Sequence, residues 1–343
     1  MVDKKRVLLL APPYMDIYKD IISCLQNMDY DVVWIEDCQI KGNPYNKKDI
    51  TRDTKSKEVY EKEVNEFWDK KLNEIKNEHT FDYLLVIDGL MVSLYFFHKF
   101  REINPEVKMI LYLYDRVKGN YEIEHFFKEY DRIYTFDKQD SSTFGISHLP
   151  IYWVPTYEKK KEIYDLFGMA SFNSMERYNI FNNIRNKARQ DGMKEYIKLW
   201  RPPVEHPFKY FIKYVLCRIR GMEMLSLSQL RNDIFTEKCL SPDDFRLMTS
   251  QSKVILDTSL SYQDGLTARF MWALGAEKKI ITTNGSVKEY EFYDPKQVLI
   301  LHDNYDEIIN FIKEPYHSNE EQREIIFRYR IDNWIKTLFD SNS

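Results

Sequence analysis

Apolar positions along this chain follow two rhythms: short continuous runs, and longer stretches in which they recur three and four residues apart. The first run, over 6–11, is Val and Leu behind Arg6, as in strands buried on both faces of a parallel sheet, and Pro12-Pro13 ends it. Ile17, Ile21, Ile22 and Leu25 then keep helical spacing between Asp16 and Met28, and Tyr30–Ile35 reads as a second strand. The same reading predicts a polar loop over 39–57 and a helix over 58–78. A strand over 81–87, a helix over 94–103, a strand over 108–114, a helix near 123–130 and a strand over 132–136 follow. Pro150 and Pro155 mark a crossover. Beyond it, Tyr164–Phe167 with Gly168 opens a new sheet, strands over 194–200, 253–257 and 279–283 alternate with helices over 175–190, 241–251 and 265–274, and a single amphipathic helix runs over about 320–339. Two rounds of alternation predict an α/β fold of two Rossmann-like domains. The expected divisions are 1–150, 151–319 and a C-terminal helix over 320–343, and a length of 343 residues favours two cores over one.

Charge and composition narrow the functions. Fifty basic residues against 54 acidic ones give a formal charge of −4, without the broad positive field of a nucleic-acid binder, so no nucleic-acid partner is expected. The apolar run after the polar start is too short for a signal peptide or membrane span, so a cytoplasmic protein is expected. Cys24, Cys38, Cys217 and Cys239 are widely spaced, with neither a zinc pattern nor a disulfide framework, and are expected to be reduced structural thiols; no metal site is expected. Asn284-Gly285-Ser286 matches a glycosylation sequon, which carries no weight without a secretory signal.

Residues just beyond the strands are the natural place for chemistry, because open parallel sheets bind ligands outside the carboxyl ends of their strands. Those positions are Pro12–Tyr14, Asp88-Gly89, Asp115-Arg116, Asp137, Gly168–Ser171, Asp264–Thr267 and Thr283–Gly285. A single such Asp is more often a turn or cap residue, so the clustering carries the argument. The motifs GxGxxG, GxxxxGK[ST], GxSxG and HExxH are absent. The most informative stretch is 259–275. Gly265 is read there as the start of a helix whose unpaired N–H groups suit a diphosphate, with Arg269 one turn on as a charge-assisted partner or, equally, a solvent-facing residue.

These segments resemble a known group. Ser252–Asp257, Gly265–Arg269, Ala273–Gly275, Lys279–Asn284 and Tyr290–Pro295 resemble the donor-binding half of the bacterial capsule and lipopolysaccharide glycosyltransferases grouped with the CgeB-like proteins. Tyr134–Asp140, Phe144-Gly145 and Leu149-Pro150 are similar to the segment that leaves that group's first domain, and Gly168–Ser171 with Arg177 to the loop and helix that begin the second. The resemblance covers most of 80–300. It implies a GT-B architecture, two Rossmann-like domains facing across a cleft, with a nucleotide-sugar donor on the C-terminal side and the acceptor on the N-terminal side. The nucleotide-sugar is then a substrate, and no cofactor is implied. Carried over by position, Gly265, Leu266, Thr267 and Arg269 line the diphosphate and sugar, with Gly168 and Ser171 near the phosphate or nucleotide and Asn284 among the strand-end candidates. Where relatives carry a glutamate, in Arg-x-x-Glu-Ala-Leu-Gly, this chain has Trp272, a departure that bears on donor identity and on activity. Trp272 is expected in the cleft, its ring offered to a sugar or base, with burial against the sheet as the alternative.

Glycosyl transfer needs a stabilised leaving diphosphate and, for inversion, a base. Asp115 is the first candidate base and Asp88 the second, with Tyr112 and Tyr114 beside Asp115 as sugar-stacking rings. The absence of a DxD-like pair in the second domain points to metal-independent donor binding. The expected acceptor is a glycan or lipid-linked glycan. Two rivals stay open, a nucleotide-sugar epimerase of the same fold and a catalytically silent sugar-nucleotide-binding protein. Residues 206–221 interleave Lys209, Lys213, Arg218 and Arg220 with large apolar residues, which fits either a core helix with a solvated basic edge or a strip lying on the anionic inner face of the cell membrane.

Overall fold

The computed structural model describes residues 4–45, 54–76, 80–117, 122–155, 160–259, 264–302 and 305–340. Part of the expected loop (46–53), the end of the expected helix at 77–78 and residues 260–263 of the glycine segment lie outside them. The chain divides into two compact units, one of 1–152, 263–265 and 328–343, the other of 153–262 and 266–327.

The first unit is built on a six-stranded parallel sheet of β1 (Arg6–Leu10), β2 (Asp31–Ile35), β3 (Tyr83–Ile87), β4 (Lys108–Leu113), β5 (Arg132–Thr135) and β6 (Ser147–His148), in the order β2-β1-β3-β4-β5-β6. Its crossovers carry α1 (Ile17–Asn27), α2 (Lys57–Ile75), α3 (Leu94–Ile103) and α4 (Lys138–Phe144). β1 pairs with β2 on one side and β3 on the other, so the chain reverses direction across the sheet between β1 and β3. The apolar runs are buried because helices cover the sheet: Val7 to Leu10 and Leu84 to Val86 are wholly inaccessible. Trp68 on α2 anchors one layer, its ring 4.3 Å from that of Phe96 and its Nε1 donating to the Met91 carbonyl at 2.8 Å. The segment read as a helix near 123–130 is a 3-10 turn over Ile123–Glu129.

The second unit repeats the plan with β7 (Tyr164–Ser171), β8 (Glu195–Trp200), β9 (Phe235–Thr236), β10 (Ser252–Asp257), β11 (Lys279–Thr282) and β12 (Val298–Ile300), in the order β12-β11-β10-β7-β8-β9. Helices α5 (Met175–Gln190), α6 (Pro207–Ile219), α7 (Pro242–Ser250), α8 (Ala268–Gly275), α9 (Glu307–Lys313) and α10 (Glu320–Phe327) accompany it. Here the reversal lies between β7 and β10. Both sheets are thus α/β and Rossmann-like, and in such sheets the reversal point opens a crevice at the strands' carboxyl ends.

Three further expectations need correction. Gly168 does not follow a strand; it lies inside β7, where a Cβ would fall 2.9 Å from that of Leu256, so its role is close strand packing. α8 starts at Ala268 rather than at Gly265, with Thr267 as its cap. The single C-terminal helix is two, α10 and α11 (Ile331–Phe339), because Arg330 takes an extended conformation with ψ 149° and grips Asp332 through two bonds of 2.6 Å.

Candidate active site

In the second unit, the reversal point is occupied by arginine. Arg177, in the first turn of α5, is 8% exposed; its Nη1 donates to the Ser171 carbonyl at 3.1 Å and its Nη2 to the Thr258 carbonyl at 3.3 Å, tying the ends of β7 and β10 together. Arg269 reaches the same place from α8, its Nη2 donating to the Thr258 carbonyl at 3.2 Å and its Nε to Asp257 Oδ1 at 3.3 Å. Two guanidinium groups therefore converge on one carbonyl at the carboxyl end of the sheet. The buried Asp257 is the nearby anion; its Oδ1 also accepts from the Thr267 hydroxyl at 2.7 Å and its Oδ2 from that of Thr282 at 3.4 Å. Arg269 keeps 23% of its side chain exposed. The Ser174 hydroxyl accepts from the Arg177 amide at 3.1 Å, so the start of the 16-residue α5, with its helix dipole, adds to the same field.

The other donor-side candidates have structural work. The Thr267 hydroxyl accepts the Phe270 amide at 3.1 Å while donating to Asp257. Leu266 is buried. Trp272 is 2% exposed, its ring 5.8 Å from Phe245 and 4.9 Å from the Arg246 guanidinium, so it is a core residue and not a ring offered to a ligand. Asn284 is buried as well, its Oδ1 accepting from the Ser286 amide at 3.0 Å and hydroxyl at 2.7 Å. Ser171 ends β7, exposed, and its carbonyl holds Arg177. Asp257 and Thr258 escaped sequence reasoning: Asp257 reads as the last residue of an apolar strand, and a carbonyl has no sequence signature.

In the first unit, the strand-end acids form one network. Asp88, left-handed at φ 60°, is buried; its Oδ1 accepts from the amides of Tyr114 at 2.7 Å and Asp115 at 3.2 Å, so it shapes the turn that presents the exposed Asp115. The next residue, Arg116, pairs with Asp137 at 3.5 Å and Asp140 at 3.3 Å. Burial raises the Asp140 carboxyl, and the Val117 amide and Arg116 partly offset this. Asp137, wholly buried, caps α4, and its Oδ2 accepts from the amides of Asp264 at 3.2 Å and Gly265 at 3.4 Å. A Cβ at Gly265 would stand 2.3 Å from the Phe136 ring, which is the physical requirement for glycine there. Asp88, Asp115 and Gly265 are therefore linked through Arg116 and Asp137. Tyr112 is not free to stack a sugar: it is inaccessible, its hydroxyl donates to the Leu149 carbonyl at 2.9 Å, and its ring lies 4.7 Å from Trp334 and 5.0 Å from Tyr114.

Beside that network lies a cavity of about 380 Å³ lined by aliphatic, aromatic and polar side chains, among them Tyr45, Tyr60, Val64, Tyr95, Glu122 and His125. Its floor is the turn after β3, where Gly89 has φ 68°. Behind that turn, Asp37 is inaccessible and accepts the Leu90 amide at 2.9 Å; burial pushes its carboxyl up to about 8. Burial likewise pushes the Cys24 thiol up to about 11 and that of Cys38 to about 12, so both stay protonated at neutral pH.

No protein-family profile matches the chain, and no curated protein sequence does. Solved structures do. An α,α-trehalose-phosphate synthase of Burkholderia xenovorans superposes with a TM-score of 0.58 at 10% identity, covering 97% of this chain and 98% of that one. A trehalose-6-phosphate synthase of Burkholderia multivorans gives 0.57 at 11%, covering 98% and 97%. An alpha-glucosyltransferase in complex with UDP and a 13-mer DNA gives 0.53 at 11%, covering 99% and 97%. At these identities the likeness is one of fold, the GT-B type with two Rossmann-like units.

Proposed function

We propose that this chain is a glycosyltransferase that moves a sugar from a nucleotide-sugar donor to a glycan acceptor. The observation that carries the proposal is the convergence of Arg177 and Arg269 on the Thr258 carbonyl, at the reversal point of the second sheet. Guanidinium groups at a strand-end crevice, beside a helix start, suit the diphosphate of a departing nucleotide. Donor binding of this kind needs no divalent cation, since the arginines supply the positive charge. For an inverting transfer, Asp115 of the first unit is the base we name: the acceptor hydroxyl gives it a proton, the acceptor oxygen bonds the anomeric carbon, and the bond from that carbon to the diphosphate oxygen breaks. Asp88 positions Asp115 through the backbone, and the cavity floored by the turn after β3 admits acceptor hydroxyls between aromatic rings. The acceptor we favour is a lipid-linked precursor of a surface polysaccharide, as in the CgeB-like capsule and lipopolysaccharide group.

The test is a thermal-shift screen of nucleoside diphosphates and nucleotide sugars, followed by a search for sugar transfer among the ligands found. A ligand at about 100 times its Kd adds roughly 2.7 kcal/mol of stability. Release of nucleoside diphosphate only when a glycan acceptor is present supports the reading. Conversion of the donor without acceptor would favour an epimerase, and binding without turnover a silent binding protein.

A further inference from the structure

α6 leaves its apolar face uncovered. No residue of this helix is buried, and Phe208 is 75% and Ile219 76% exposed. Phe211, Ile212, Val215 and Leu216 are exposed too, and with Phe208 and Ile219 they fall at the spacing of a single helical stripe, while Met222, just past the helix, is exposed as well. The opposite edge seats the helix on its own unit: Tyr210, Tyr214 and Cys217 are half-buried, and the Tyr210 hydroxyl donates to the Leu225 carbonyl at 2.8 Å. The pattern is therefore no core helix with a wet edge; its most apolar side faces outward. A contiguous apolar stripe of this size marks an interaction surface.

The charges identify the partner. Lys209, Lys213 and Arg220 flank one margin of the stripe and Arg218 the other, all exposed, and no Asp or Glu occurs between His206 and Met222, in a chain whose formal charge is −4. We infer that α6 docks on an anionic lipid surface, lying in the interface with its apolar residues among the acyl chains and its basic residues at the headgroups. With 13 residues it is far short of the roughly 20 needed to span a bilayer, and among the described residues no helix is long and apolar enough to cross one. Each basic residue near such a surface adds about fivefold to partitioning at low salt. The inference does not depend on glycosyl transfer.

The experiment is flotation of the full chain with vesicles of phosphatidylcholine alone or with phosphatidylglycerol, at low and high salt. The wild type should float with the anionic vesicles at low salt, lose most of that association at high salt, and stay behind with neutral ones. Phe208→Ser with Ile219→Ser, and separately Lys209→Gln with Lys213→Gln, should each weaken binding at least tenfold while melting as the wild type does, since these positions are exposed. Wild-type binding that is absent, or that matches both variants, would overturn the inference. So would a concentration-dependent dimer, formed without vesicles and broken by the two serine substitutions, because the stripe would then be a contact between copies of this chain. Nucleotide binding measured on the same variants stays unchanged, which separates this outcome from that of the donor-site reading.

Discussion

Arg269 and Trp272 lie three residues apart on one helix, and their surroundings give them opposite expected phenotypes. Trp272 is core, so Trp272→Ala should cost about 3–5 kcal/mol of stability in a thermal melt and leave nucleotide affinity intact in the protein that remains folded; a near-wild-type melting temperature would place the ring outside the core. Arg269→Ala should lower nucleoside diphosphate affinity roughly tenfold or more, from the loss of a charge-assisted contact worth about 1.5–3 kcal/mol. It should also lower stability, because buried Asp257 loses its ion pair. The acids divide in a similar way. If Asp88 only orders the turn, Asp88→Asn keeps the acceptor for the Tyr114 and Asp115 amides and retains most turnover, whereas Asp115→Asn lowers kcat by about 10²–10⁴ with donor affinity unchanged; equal losses in both would make Asp88 a catalytic group. Asp37 gives a pH signature. Its folded-state carboxyl titrates near 8, above the ordinary value of 3.8, so its stabilising contribution is complete below pH 3.8 and is lost as the pH rises through about 8. Melting temperature should therefore fall between these limits more steeply in the wild type than in Asp37→Asn; parallel profiles would contradict the burial argument. Asp88 and Asp115 could be picked out in the sequence as candidates because they follow apolar strands, and Gly265 and Arg269 because a glycine with an arginine one turn on reads as a helix start suited to phosphate. The convergence on Thr258 could not, since it depends on which carbonyl two distant helices reach.

At the scale of elements, the long buried strands and the amphipathic helices were legible because burial on both faces writes an unbroken apolar run and burial on one face writes helical spacing; α3 and α5 were read to their end residues. Strands β6, β9 and β12 were not, since two or three residues at or near a sheet edge carry no periodicity. The break between α10 and α11 also escaped: 320–339 holds neither Gly nor Pro, and apolar spacing continues across the interruption. Glycine was misread by context. Gly265 looked like a helix start but is fixed by the Phe136 ring, and Gly275 ends α8 where a Cβ would stand 2.4 Å from the Trp153 ring. Helix propensity alone would make Gly275→Ala stabilising by about 0.8–1 kcal/mol. The ring reverses the sign, so this variant should melt below the wild type, and a higher melting temperature would show that Trp153 yields.

For the whole molecule, the central claim is that the reversal point of the second sheet binds the diphosphate of a nucleotide. The fold carries no such statement by itself, because the solved structures that share it are only 10–11% identical to this chain. The most direct measurement is isothermal titration of the chain with UDP, and then with other nucleoside diphosphates, in magnesium and in chelator, for the wild type and for Arg269→Ala verified as folded. The account predicts saturable binding of at least one nucleoside diphosphate, the same affinity with and without magnesium, and a loss of tenfold or more in Arg269→Ala. Absence of binding to any of them, or full wild-type affinity in folded Arg269→Ala, would contradict it.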